Sequence, residues 1–135
     1  MTVKNRYNEI QSILGKCSEY GCHFLSLLSI IEEVNNEPVD LIEAIKVCQS
    51  KGFMDSNFFV KAGDELLEYF TGKKWIRKTV ETLPKKIEDN WYTEVIFYNP
   101  KTELYHYRRR GWDTLIDSKT VKEGYVLKYY IWICK

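Results

Sequence analysis

Apolar residues in the first half of the chain recur with the spacing of helices. Residues 6–14 carry such a pattern and stop at Gly15, which predicts a short helix with a glycine cap. From Cys22 onward the apolar positions follow i, i+3, i+4 and i+7, and the stripe is wide enough to predict a largely buried helix. Asn35-Asn36 and Pro38 mark its end.

Two further helices are predicted before residue 73. Asp40 with Glu43 three residues later is a capping-box signature, so a helix should begin near Leu41 and end around Gly52. Its expected buried residues are Leu41, Ile42, Ile45 and Cys48. Another short helix should begin at Gly63-Asp64 and end at Gly72.

From Lys74 onward, short β-branched and aromatic runs separated by turn residues predict strands. Residues 82–90 form the expected long loop, residues 113–118 another strand, and residues 125–134 the closing strand. Helices followed by strands predict an α+β fold, with N-terminal helices packed on a C-terminal twisted antiparallel sheet.

The clearest hairpin covers residues 93–109, with Pro100 at the second position of a type I turn from Asn99 to Thr102. Period-two alternation then places His106 on the core-facing side of the hairpin. The residues expected beside it are Val95, Phe97 and Leu104, and those expected on a solvated opposite face are Glu94, Tyr98, Glu103, Tyr105 and Tyr107.

Composition favours one domain, residues 1–135, in the cytoplasm. The chain is 44% apolar, and its net charge of +1 argues against nucleic acid and anionic lipid as partners. The sequence shows neither a membrane-spanning segment nor a secretory signal. The four cysteines lack the spacing of a zinc site, so we expect free thiols with no metal and no cofactor.

Cys22 and His106 are the residues best suited to chemistry. A thiolate is stabilised by the amides of a helix N-terminus, where Cys22 is predicted, although a buried structural cysteine also fits this position. His106 could exchange a proton with the thiol, or serve as a hydrogen-bonded packing residue. A turn at Arg110-Gly111 would bring Asp113 and Asp117 to the same face as His106, and alternation does not separate the two.

Two segments of the chain stand out, namely Glu19-Tyr20-Gly21-Cys22-His23-Phe24-Leu25-Ser26-Leu27-Leu28 and Tyr105-His106-Tyr107-Arg108 with the following Trp112-Asp113-Thr114-Leu115. These segments resemble papain-like cysteine peptidases of the bacteriocin-processing (C39-like) type, and in particular small papain-like proteins of phages and prophages. The resemblance implies Cys22 as nucleophile, His106 as general base and acid, and Asp113 as the orienting carboxylate, with Asp117 as its rival. The substrate would be a peptide or protein.

The sequence departs from that family at one position. Papain-like enzymes carry an oxyanion-binding glutamine about six residues before the cysteine, and this chain has Lys16 there. Loss of one oxyanion donor typically costs about 10²–10³ in rate, which favours an alternative function as an inactive protein that binds a host protein or a small ligand. The sequence does not specify an oligomeric state.

A third alternative rests on the basic segment Arg108-Arg109-Arg110 and the aromatic residues beside it. Such a patch can bind phosphates and stack bases, but three arginines at a hairpin tip are usually solvated. Because the chain is nearly neutral, nucleic acid is the less favoured partner.

Overall fold

The computed structural model describes residues 22–110 and 123–135, which form three helices followed by a four-stranded antiparallel sheet. The α+β class predicted from the sequence is therefore confirmed. Contacts divide the chain into two compact units, Met1–Lys74 and Trp75–Lys135. The helices belong to the first unit and the strands to the second, and organisation as a single domain stays a prediction. The predicted helix at residues 6–14 and strand at residues 113–118 lie outside the described residues.

Helix α1 spans Cys22–Asn35 and is buried on all sides through most of its length. Every residue from position 24 to position 31 is at most 3% exposed. Two of these residues are serines, and the Ser29 hydroxyl donates a hydrogen bond to the Ser26 carbonyl at 2.6 Å, which satisfies a polar group inside the core. Asn36, at a φ of 53°, follows the last residue of the helix.

Helices α2 and α3 span Leu41–Ser50 and Gly63–Thr71. The capping signal at the start of α2 is confirmed, because the Asp40 carboxylate accepts a hydrogen bond from the Glu43 amide at 3.1 Å. Gly72 ends α3 in the left-handed conformation, at a φ of 70°. The expected burial of Ile42 is wrong, since its side chain is 57% exposed and Ala44 is buried instead. Ile45, also expected to be buried, is half-buried.

The strands are β1 (Trp75–Val80), β2 (Trp91–Asn99), β3 (Leu104–Arg109) and β4 (Tyr125–Cys134). They lie in the order β1-β4-β2-β3, so the strand expected to close the sheet is an interior one. The predicted long loop separates β1 from β2. None of the helices in the described residues is long and apolar enough to cross a membrane.

The β2–β3 hairpin differs from its predicted register by two residues. Asn99 pairs with Leu104 and Phe97 pairs with His106, while the Glu103 amide donates to the Asn99 carbonyl at 2.8 Å. The connection is therefore four residues long, with Glu103 at a φ of 57°. Because a shift of two preserves the alternation of faces, Val95, Phe97 and His106 still share one side, as predicted. The expectation that Leu104 also faces the core is wrong, since it is 50% exposed.

Candidate functional site

Cys22 is the first described residue of α1, and the apolar helix that follows holds it in place. Its side chain is 4% exposed. The sequence prediction that Cys22 opens a buried helix agrees with this position. A thiol at this place is held rigidly by packing, but an incoming substrate must displace whatever covers it.

His106 lies in β3 and is 6% exposed, which confirms that its side chain is buried. Its ring lies beside that of Phe97, its partner across the strand pair, with 6.4 Å between the ring centroids. The imidazole is thus held against the sheet by an aromatic neighbour. This placement suits both a positioned general base and a packing residue.

The residues of the expected triad are distributed over the two units. Cys22 belongs to the helical unit and His106 to the sheet unit. Each is buried as predicted, and their pairing stays a prediction. Asp113 and its rival Asp117 lie outside the described residues, as does Lys16.

No protein-family model, curated protein or solved structure matches the chain. The papain-like resemblance therefore rests on the quoted sequence motifs alone.

Cys48 and Cys134 are free thiols in different environments. Cys48 is fully buried in α2, and its burial raises the pKa of the thiol to about 12. Since the thiolate is the reactive form, Cys48 should be chemically inert at neutral pH. Cys134 is half-buried at the end of β4, where its amide donates to the Asn90 carbonyl at 3.0 Å.

The raised pKa of Cys48 makes stability depend on pH in alkaline solution. An exposed thiol in the unfolded chain ionises near pH 8.5, whereas the folded chain keeps this proton to about pH 12. The unfolded state therefore loses the proton first, so the free energy of unfolding should fall as the pH rises above about 8.5. Urea unfolding from about pH 8 to about pH 10 should show a smaller fall for Cys48→Ala than for the wild type or Cys134→Ala. Parallel curves for all three proteins would contradict this role of Cys48.

The basic segment at the end of β3 is not a uniformly solvated tip. The Arg108 guanidinium lies 4.8 Å from the Phe97 ring centroid, and that of Arg109 lies 5.7 Å from the Tyr92 centroid. Arg109 is only 8% exposed, while Arg110 is exposed. Two of the three guanidinium groups are thus packed against rings of their own sheet, which leaves fewer of them to bind phosphates.

A buried carboxyl group in β2 was missed by the sequence analysis. Glu94 is 0% exposed, and one of its carboxyl oxygens accepts a hydrogen bond from the Trp132 indole Nε1–H at 2.7 Å. The expectation of a solvated face around Glu94 is therefore wrong. Alternation assigned Glu94 to the face opposite His106, but β2 is an interior strand that buries side chains on both faces.

Cations also stack on the aromatic rings next to Glu94. The Arg77 guanidinium lies 4.5 Å from the Tyr130 ring centroid, and the Lys128 ammonium lies 5.5 Å from it. The Tyr130 and Trp132 rings meet edge to face at 6.1 Å. This cluster explains how β4 stabilises the centre of the sheet through side chains as well as backbone pairing.

Among residues 22–110 and 123–135, no three His, Cys, Asp or Glu side chains converge on a metal-binding position.

Proposed function

We propose that this chain is a cytoplasmic, papain-like cysteine hydrolase of a phage or prophage type, acting on a peptide or protein. The observation that carries the proposal is the position of Cys22 at the start of a helix whose residues 24–31 are buried. A buried histidine on an antiparallel strand supplies the second group that the chemistry requires. The motifs around both residues support the same family.

In the proposed reaction, His106 takes the proton of the Cys22 thiol, and the thiolate attacks the substrate carbonyl. The tetrahedral intermediate collapses to an acyl-enzyme when the C–N bond breaks and His106 returns the proton to the leaving amine. Water, deprotonated by His106, then attacks the acyl carbon. The C–S bond breaks to release an acid, and His106 returns the proton to the Cys22 thiolate. Asp113, or its rival Asp117, would orient the imidazole, and the Cys22 backbone amide would be one oxyanion donor.

The test of this proposal is the selective reactivity of Cys22. Iodoacetamide at neutral pH, followed by peptide mapping with mass spectrometry, should label Cys22 at least about tenfold faster than Cys134. Cys48, with its raised pKa, is an internal reference that should remain unlabelled while the chain is folded. Because His106 accepts the thiol proton, His106→Gln should slow labelling at Cys22 and leave Cys134 unchanged. Labelling of Cys22 no faster than that of Cys134 would refute an activated nucleophile.

A second function, binding without catalysis, is favoured by the low exposure of both residues. Cys22 is 4% and His106 6% exposed, which is typical of structural side chains. In this case the chain would bind a host protein or a small ligand. The Cys22→Ala variant separates the two functions, since a hydrolase loses its biological effect with the thiol whereas a binding protein keeps it.

A further inference from the structure

A cleft of about 210 Å³ opens in the helical unit between the end of α1, the start of α2 and the end of α3. Ile31 and Ala44 lie at its floor and are each only 1% exposed, so the accessible apolar surface of the cleft belongs mainly to Pro38, Val39 and Phe70, which are half-buried or exposed. Phe70 forms one wall, and Pro38 and Val39 form another. An apolar surface of this kind gains free energy when it is covered by another apolar group.

Two hydrogen bonds hold the walls of the cleft in place. The Asn35 side-chain amide donates to the Phe70 carbonyl at 2.9 Å and joins the end of α1 to α3. The Val39 amide donates to the Glu32 carboxylate at 2.8 Å and fixes the turn between α1 and α2. The shape of the cleft is therefore formed before any ligand binds, which lowers the entropic cost of binding.

The rim of the cleft is acidic. Glu37, Asp40 and Glu43 are exposed around it, and no Lys or Arg of the described residues forms an ion pair with them. Acidic residues also outnumber basic ones over the first 74 residues of the sequence. An occupant that brings positive charge to this rim would be attracted over a distance of about 10 Å at moderate salt.

The size of the cleft narrows the choice of occupant. Sites for drug-sized ligands usually enclose about 300–1,000 Å³, so this cleft is suited to one large side chain. We propose that it is a docking site for a segment of a partner protein that presents one aliphatic or aromatic side chain flanked by Lys or Arg. The side chain would cover Pro38, Val39 and Phe70. The flanking cations would meet the three carboxylates.

This docking site is separate from the chemistry proposed for Cys22. Ile31 lies about 14 Å along α1 from Cys22, at 1.5 Å of rise per residue. Partner binding at the cleft therefore does not depend on the hydrolase proposal. It would apply equally to an active enzyme and to an inactive binding protein.

The experiment measures binding of a fluorescein-labelled peptide, capped at both ends, in which one Leu is flanked on each side by two Lys. Fluorescence anisotropy with the full chain should show saturable binding that weakens as salt is raised. Replacing the Leu by Ser should weaken binding by about tenfold or more, since the apolar contact is lost. The double variant Glu37→Gln/Glu43→Gln should weaken it by about three- to tenfold.

The control variant is Asp64→Asn/Glu65→Gln, which removes the same charge from exposed positions at the far end of α3. It should bind the peptide like the wild type, and circular dichroism should show that both double variants are folded. Each of three results would overturn the proposal: the Leu and Ser peptides bind with equal affinity, both double variants lose the same affinity for the Leu peptide, or binding of the Leu peptide does not saturate below about 1 mM. Sedimentation of the chain alone tests for self-association. Self-association that Glu37→Gln/Glu43→Gln abolishes would identify a second copy of the chain as the occupant, and this result would also overturn the proposal.

Discussion

Replacing Leu28 by Ala is expected to lower the free energy of unfolding by about 2–5 kcal/mol. Leu28 is 0% exposed at the middle of α1, with fully buried neighbours along the helix. The substitution removes three carbon atoms and leaves a cavity that a helix buried on all sides cannot close by a small movement. Urea unfolding followed by circular dichroism measures the loss.

The matched control is Ile42→Ala in α2, where the side chain is 57% exposed. It removes a similar volume but little buried contact, so stability should change by less than about 1 kcal/mol. Similar losses at the two positions would show that the core is not centred on α1.

The same experiment tests whether the chain unfolds as one domain. All four tryptophans lie after residue 74, so their fluorescence reports the unit Trp75–Lys135, whereas circular dichroism near 222 nm reports mainly the helices. If the chain is the single cooperative domain predicted from its length, Leu28→Ala should shift both signals by the same amount. A shift confined to circular dichroism would make the helical and sheet units separate domains.

Replacing Trp132 by Phe is expected to destabilise the protein by about 2–4 kcal/mol. The change removes the indole N–H that donates to Glu94 at 2.7 Å, and it leaves a smaller ring in a site that is 1% exposed. A buried carboxyl group that loses a donor costs about 1–3 kcal/mol, to which the cavity adds. Chemical unfolding monitored by circular dichroism avoids relying on the fluorescence of the replaced residue.

A double-mutant cycle separates the hydrogen bond from the cavity. Combining Trp132→Phe with Glu94→Leu removes both partners, so the pair of changes should cost about 1–3 kcal/mol less than the sum of the single changes. Trp91→Phe, at a half-buried position in the same strand as Glu94, is the control and should show no such coupling. Additive costs for Trp132 and Glu94 would mean that their hydrogen bond contributes nothing to stability.

Local signals in the sequence predicted the three helices and the four strands of the described residues well. The Asp40 cap, the glycine after α3 and the proline after α1 act within one turn of their helices, so their effects do not depend on distant parts of the chain. The hairpin register was missed because the four-residue loop needs Glu103 at a positive φ, which the type I turn signal at Pro100 does not reveal. The burial of Glu94 was missed because the position of a strand in the sheet depends on pairing between remote segments.

The candidate site was predictable only in part. The periodicity of apolar residues predicted Cys22 at the start of a buried helix, and strand alternation predicted that His106 is buried. Whether the Cys22 thiol and the His106 imidazole meet depends on how elements far apart in the chain pack together. The periodicity of apolar residues carries no information about the distance between these two side chains. Strand alternation also does not choose between Asp113 and Asp117 as the orienting carboxylate, because it predicts both side chains on the same face as His106.

The position of β4 has a consequence for how the protein is made. Among the described strands, β1 pairs with β4 alone, and β2 and β3 come between them in the chain. On the ribosome, β1 therefore leaves the exit tunnel with unpaired backbone groups and must wait until the later strands have been translated. During this interval an incomplete sheet presents open edges to other nascent chains, so chaperone demand should be greatest just before β4 emerges.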